Sequence, residues 1–179
     1  MSTAGASGAS GADEGRRDRA DRHIERWSQL WTDEDGYDTE VEAALVRMDE
    51  LTSLSSNALR ALLAGDPVSY EEFVTLHALV CAPDMRATPG RLAQSSGVTR
   101  AGMTSRLDRL VRAGLVTRTE DPADRRSAII EPTDSGRQVW DRVIHDWSAA
   151  EQRLFSALTL PELRRLNALL RKALLAQEA

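Results

Sequence analysis

Apolar residues return every three or four positions through most of this chain, the spacing of helices that bury one stripe. Ile24, Trp27 and Trp31 mark a short amphipathic helix from about Arg19 to Trp31, ended by the acidic run from Thr32 to Asp38. Thr39 followed by Glu42 has the form of a capping box, in which hydroxyl and carboxylate each satisfy a free N–H of the first turn. It opens a long second helix, with Val41, Leu45, Met48, Leu51, Leu59 and Leu62 leading to Gly65. Ser69 with Glu72 predicts another box and a third helix through Phe73, Leu76 and Leu79 or Val80, ending near Cys81 to Asp84. Thr88 before Pro89 is an N-cap with proline at the first helical position. It starts a short helix through Leu92, Ala93 and Gln94 that Gly97 stops. Thr99 restarts the chain into Met103, Leu107, Leu110 and Val111, and Gly114 closes that helix.

Beyond Gly114 the period changes. Leu115 to Thr119 and Ser127 to Glu131 flank a charged turn containing Pro122, which predicts a β-hairpin. Thr133 then caps a long helix with Val139, Val143, Ile144, Trp147 and Leu154. Thr159 with Glu162 opens a last helix carrying Leu163, Leu166, Leu170 and Leu174. Two short helices meeting at a glycine turn and followed by a hairpin form a winged helix-turn-helix. The expected fold is therefore mainly α, a winged helix-turn-helix over 66–132 with long dimerisation helices over 39–65 and 133–179. Residues 1–17 are expected to be a disordered tail and 18–35 an extra N-terminal helix, preceding a domain over 36–179.

Composition narrows the picture. Aromatic residues make up only 4% of the 179 positions, so the core is expected to be aliphatic. Cys81 is the single cysteine, which excludes an intrachain disulfide framework and a multi-cysteine zinc site, and fits a reducing cytoplasm. The Ser, Ala and Gly of 1–15 have neither the charged nor the apolar part of a secretory signal, and no run reaches membrane-spanning length.

The net charge of −5 argues against a nucleic-acid partner, but its distribution reverses the inference. Ten Arg stand against six acids from Arg86 to Arg137, a local +4, while the rest of the chain carries −9. Phosphate neutralisation needs local cations, and they are concentrated in the helix-turn-helix and hairpin. At about 100° per residue, Ala101, Ser105 and Arg109 fall opposite the apolar side of the helix after Thr99. Small residues there let a helix sit deep in the major groove, with Ser105 at a base edge and Arg109 at a guanine or a phosphate. Thr99, Arg100 and Thr104 are placed to engage phosphate near the helix N-terminus. Asp124, Arg125 and Arg126 occupy the wing tip, where one arginine is expected in the minor groove and the other on Asp124 or a phosphate. Arg106 lies about 60° from the centre of the apolar side, so it should be partly buried and seek an acceptor. A two-fold protein reads a palindrome, so the surplus apolar stripes of the terminal helices are best used in a homodimer.

The stretch from Thr88 to Gly136 closely resembles the MarR family of bacterial transcriptional regulators. The resemblance rests on Leu92-Ala93, Met103-Thr104, Arg106-Leu107-Asp108-Arg109-Leu110, Gly114-Leu115-Val116-Thr117-Arg118, Asp121-Pro122, Asp124-Arg125-Arg126 and Thr133-Asp134-Ser135-Gly136. It extends from about Asp21 to the C-terminus. It implies a triangular dimer that binds double-stranded DNA and represses a nearby gene until a small ligand releases it. The N-terminal Asp21-Arg22, Ile24 and Trp27 look like the PecS or urate-responsive branch, in which residues matching Trp27 and Arg106 help form the ligand site. That branch has an Asp after the Glu-Phe pair of the third helix, whereas Val74 follows Glu72-Phe73 here. The departure counts against urate and leaves a related anionic or aromatic ligand.

Two alternatives have residues behind them. His77 and Cys81 are spaced to face one another on a helix, which suggests an oxidant- or metal-responsive regulator, although two ligands do not make a metal site. A helical protein-interaction module without DNA binding is the other. Neither a metal nor a cofactor is expected, no membrane partner is expected, and no motif places the general acid and base of an enzyme.

Overall fold

The computed structural model describes residues 16–31, 36–122 and 127–177. Residues 1–15 of the expected tail over 1–17, and the wing-tip residues Asp124, Arg125 and Arg126, lie outside the described residues. The chain divides into two compact units, Met1–Ser53 and Leu54–Ala179.

The first unit contains α1 (Arg19–Trp27) and the opening of α2 (Thr39–Leu62). Asp18 caps α1 and forms a reciprocal box with Asp21. The helix is shorter than its apolar spacing predicts. It closes at Trp27, whose carbonyl accepts N–H bonds from both Leu30 and Trp31 at 2.9 Å, so the chain turns before Trp31 can join the stripe. The capping box expected from Thr39 and Glu42 does not form. Asp38, one residue earlier, accepts from the N–H groups of Glu40 and Val41 at 2.9 and 3.1 Å. Glu42 is instead bonded to His23, at 2.8 Å from its Nε2. A carboxylate at the cap position outcompeted a threonine because it is the stronger acceptor for the same N–H groups. Polar pairs join the two helices: Arg47 reaches Asp18 and Asp21 at 2.8 and 2.6 Å, and Arg19 reaches Glu50. Among the described residues of this unit only Ala20 and Ala43 are buried.

The second unit carries the core. α3 (Tyr70–Val80), α4 (Pro89–Ser95), α5 (Arg100–Arg112), β1 (Val116–Glu120), β2 (Ala128–Pro132) and α6 (Asp134–Leu154) follow in order, and α7 (Leu160–Leu175) ends the chain. Phe73, Leu76 and Leu79 of α3 meet Leu92 of α4, Met103, Leu107 and Leu110 of α5, Ile130 of β2 and Val143 of α6 in one buried cluster. Every predicted cap from Ser69 to Thr133 is in place: the side chains of Ser69, Thr88, Thr99 and Thr133 each accept from an N–H three residues on.

β1 and β2 pair antiparallel, with Val116 opposite Pro132 and Glu120 opposite Ala128. A single bridge between Ala87 and Ile130 ties the approach to α4 onto this ribbon. Beyond buried Val116 the rest of β1 is exposed, so the wing is anchored at its base and projects from there. Gly114 holds the junction with φ +70°, a left-handed turn that costs a residue with a Cβ more. Leu115 N–H then returns to the Leu110 carbonyl at 3.0 Å and closes α5. α6 starts against this junction. Thr133 donates its hydroxyl to the Gly114 carbonyl at 2.7 Å and its N–H to the Leu115 carbonyl at 3.0 Å. α7 buries no residue, and Leu160, Leu169, Leu174 and Leu175 are exposed along it.

Candidate nucleic-acid interface

α4, the turn at Gly97 and α5 form the helix-turn-helix, and the apolar side of α5 is fixed by Met103, Leu107 and Leu110. That burial turns the opposite side outward. Thr99, Arg100, Ala101, Thr104, Ser105 and Arg109 are all exposed, as the wheel predicts. Their hydrogen bonds separate them chemically. Thr99 accepts from the Gly102 N–H at 3.1 Å, which leaves its hydroxyl proton to donate. Thr104 has spent its proton on the Arg100 carbonyl at 3.0 Å. Arg100 has no ion-pair partner among the described residues.

Arg109 is held on both sides. Its Nε donates to Glu72 and its Nη1 to the Ser105 hydroxyl oxygen at 2.8 Å. Glu72 is 7% exposed and also accepts from the Ser69 N–H at 2.8 Å, so one carboxylate caps α3 and braces α5. Burial disfavours its charge, but the Ser69 N–H and the Arg109 guanidinium outweigh this and hold its pKa below the ordinary value. Because Ser105 accepts from Arg109, its own proton remains free to donate to a base edge. Glu72 was read in the sequence only as a cap; its partner on α5 is too distant in sequence for a local pattern to reveal.

Further basic groups lie on the same unit. Arg91 on α4 and Arg112 at the end of α5 are exposed, and Arg118 on β1 stands 3.9 Å from Asp108. Arg91 and Arg118 lie outside α5, so the apolar spacing of that helix does not reveal them. Arg106 is half-buried without an ion pair among the described residues, as expected of its place beside the apolar side.

His77 and Cys81 do come together, with Sγ 3.8 Å from Nε2. The Trp140 indole N–H donates to His77 Nδ1 at 3.0 Å, however, so that lone pair is occupied and the neutral ring carries its proton on Nε2. No cluster of three or more metal-ligating side chains occurs among the described residues. Burial lowers the pKa of His77, against a smaller opposing pull from Glu151. A base with a depressed folded-state pKa binds fewer protons folded than unfolded. Its contribution is therefore complete above the ordinary value of about 6.5 and shrinks as the pH falls below it. Melting should accordingly weaken as the pH drops from about 7.5 to 5.5, a window above that of Glu72. His77→Gln, which still accepts from Trp140, should flatten this dependence; equal slopes for the two proteins would exclude His77 as its source.

An exposed helix of small and polar residues, backed by a helix and flanked by a two-stranded ribbon, is the reading head of a winged helix-turn-helix protein. A MarR family model matches residues 66–127, the segment containing that head. The transcriptional regulator PecS of Dickeya dadantii is 31% identical over 79% of this chain and 87% of its own length. The transcriptional repressor YetL of Bacillus subtilis is 30% identical over 65% of this chain and 68% of its own. A mutant of MarR from E. coli, solved in complex with operator DNA, superposes with a TM-score of 0.62. It is 27% identical and covers 73% of this chain and 91% of that one. This chain belongs to the MarR family of transcriptional regulators, and those relatives are not enzymes. No helix among the described residues is long and apolar enough to cross a membrane.

Proposed function

We propose that the protein is a homodimeric repressor that binds a palindromic operator through α5 and the wing, and that a small ligand relieves the repression. The observation that carries this reading is the outer side of α5, where exposed Ala101 leaves room for close approach and Ser105 keeps a free donor. Support comes from the complex of the E. coli relative with operator DNA and from the repressor named among the relatives. The second copy is proposed from α7, where Leu160, Leu169, Leu174 and Leu175 stand exposed. The expected roles of Asp124, Arg125 and Arg126 at the wing tip and of Thr99 and Arg100 on phosphate belong to the same proposal, whereas Arg109, expected at a guanine or a phosphate, is proposed as the orienter of Ser105 because Glu72 and Ser105 engage its guanidinium. Thr104 contributes its methyl and backbone, because its proton is already engaged.

The ligand response is proposed at Arg106, a half-buried arginine without an ion pair among the described residues, which suits a carboxylate or other anion. Trp27 is a poorer candidate for the same ligand. Within its own unit it lines a pocket that also holds the Glu42 carboxylate, which repels an anion.

Ala101→Glu tests the reading directly. It places a carboxylate on the exposed side of α5 without touching the core, so folding should be preserved. Binding to DNA from upstream of its own gene should weaken by about 10²-fold, at or above the scale of a lost base contact. Unchanged affinity in a fluorescence titration would remove α5 from the interface.

A further inference from the structure

The N-terminal unit contains a feature that DNA binding does not use. His23 and Trp27 on α1, Trp31 and Tyr37 beyond it, and Glu42 on α2 line a cavity of about 240 Å³. We propose that this cavity is a binding site for a small organic cation, such as a quaternary ammonium compound carrying a hydroxyl or carbonyl oxygen. The proposal concerns the N-terminal unit alone and stands independently of DNA binding.

Three features point to that chemistry. Trp27, Trp31 and Tyr37 offer aromatic faces, and Trp27 and Trp31 are 38% and 48% exposed, too open for packed core residues. An aromatic face carries negative potential, which attracts a cation without requiring it to shed water for a hydrogen bond. Among the described residues Glu42 is the one carboxylate of the lining, and no lysine or arginine lines it. The Glu42 Oε1 is bonded to His23 Nε2 at 2.8 Å, which holds the carboxylate beside the rings. His23 is itself set against Trp27, with ring centroids 5.8 Å apart, so this pair also fixes one wall of aromatic rings.

Tyr37 supplies the third feature. Its hydroxyl is buried and has no hydrogen-bond partner among the described residues. Buried polar groups are almost always satisfied, so an unpaired phenol beside an open cavity suits a ligand oxygen. A cation carrying an oxygen satisfies the rings, Glu42 and Tyr37 together. A carboxylate ligand satisfies only the phenol and is repelled by Glu42.

The four indole N–H signals give a site-resolved test with the full chain. Choline chloride should shift the signals of Trp27 and Trp31 in a saturable way and leave Trp140 and Trp147 in place. Its uncharged carbon isostere, dimethylbutanol, should bind about tenfold more weakly, and benzoate should not bind in this cavity. Glu42→Gln should weaken choline by a similar factor. Because that change also removes the partner of His23, Trp31→Leu at an exposed position serves as a second variant and should likewise lose choline with its helical signal intact. Absence of a saturable shift, equal binding of choline and its isostere, benzoate shifting the same two signals, or full affinity in both variants would each overturn the proposal.

Discussion

Gly136→Ala should destabilise the protein by about 3 kcal/mol, the upper part of the range for overpacking a tight contact. A Cβ at this position would lie 2.0 Å from the Leu115 carbonyl oxygen and 3.0 Å from its carbon, and both belong to backbone. Neither side can yield cheaply. The same carbonyl accepts the Thr133 N–H, and Thr133 is bonded through its hydroxyl to Gly114. Moving the first turn of α6 therefore means moving the junction of α5 and β1, on which the wing is mounted. A chain of this length loses roughly 2–4 °C in Tm per kcal/mol, so a fall of about 6–12 °C is expected by circular dichroism. Gly114→Ala provides the contrast. Its Cβ meets nothing within 4 Å, and the substitution costs only the left-handed backbone, about 1–2 kcal/mol. A Gly136→Ala protein that melts with the parent would show that α6 does not seat on Leu115.

The double substitution Leu169→Glu and Leu174→Glu should convert the proposed dimer to folded monomers. These side chains are 49% and 67% exposed in the single chain, so charging them leaves the monomer core alone. If both become buried between copies, their removal costs about 3–6 kcal/mol, or roughly 10²- to 10⁴-fold in dimer dissociation. Sedimentation at micromolar concentration reads the outcome, with the helical signal as the check on folding. Operator affinity should fall with it, because a monomer holds one half-site where a dimer holds two. A double variant that remains dimeric would place the interface elsewhere.

The elements that were legible in the sequence were those fixed by neighbours along the chain. Ser69 with Glu72, Thr88 with Pro89, Thr99 and Thr133 all announced helix starts because a cap and its N–H lie within three residues. The apolar spacing of Met103, Leu107 and Leu110 also fixed the outward side of α5, and with it Ala101 and Ser105. What sequence reading missed depended on distance or competition. Glu72 bracing Arg109 joins positions 37 apart. Asp38 displaced Thr39 as the cap of α2, while Glu42 was taken by His23 on another helix. Trp31 continued the spacing of α1 but lies past the turn that closes it. The occupied Nδ1 of His77 likewise depends on Trp140, brought in from α6.

DNase footprinting on the DNA upstream of the protein's own gene, repeated over a range of salt, tests the central claim most directly. Two related half-sites about one helical turn apart should be protected together, with affinity falling steeply as salt rises because phosphate contacts release counterions. Ala101→Glu should erase both protections at once. An absence of protection at low salt, or protection that survives Ala101→Glu unchanged, would contradict the assignment of α5 as the reading helix.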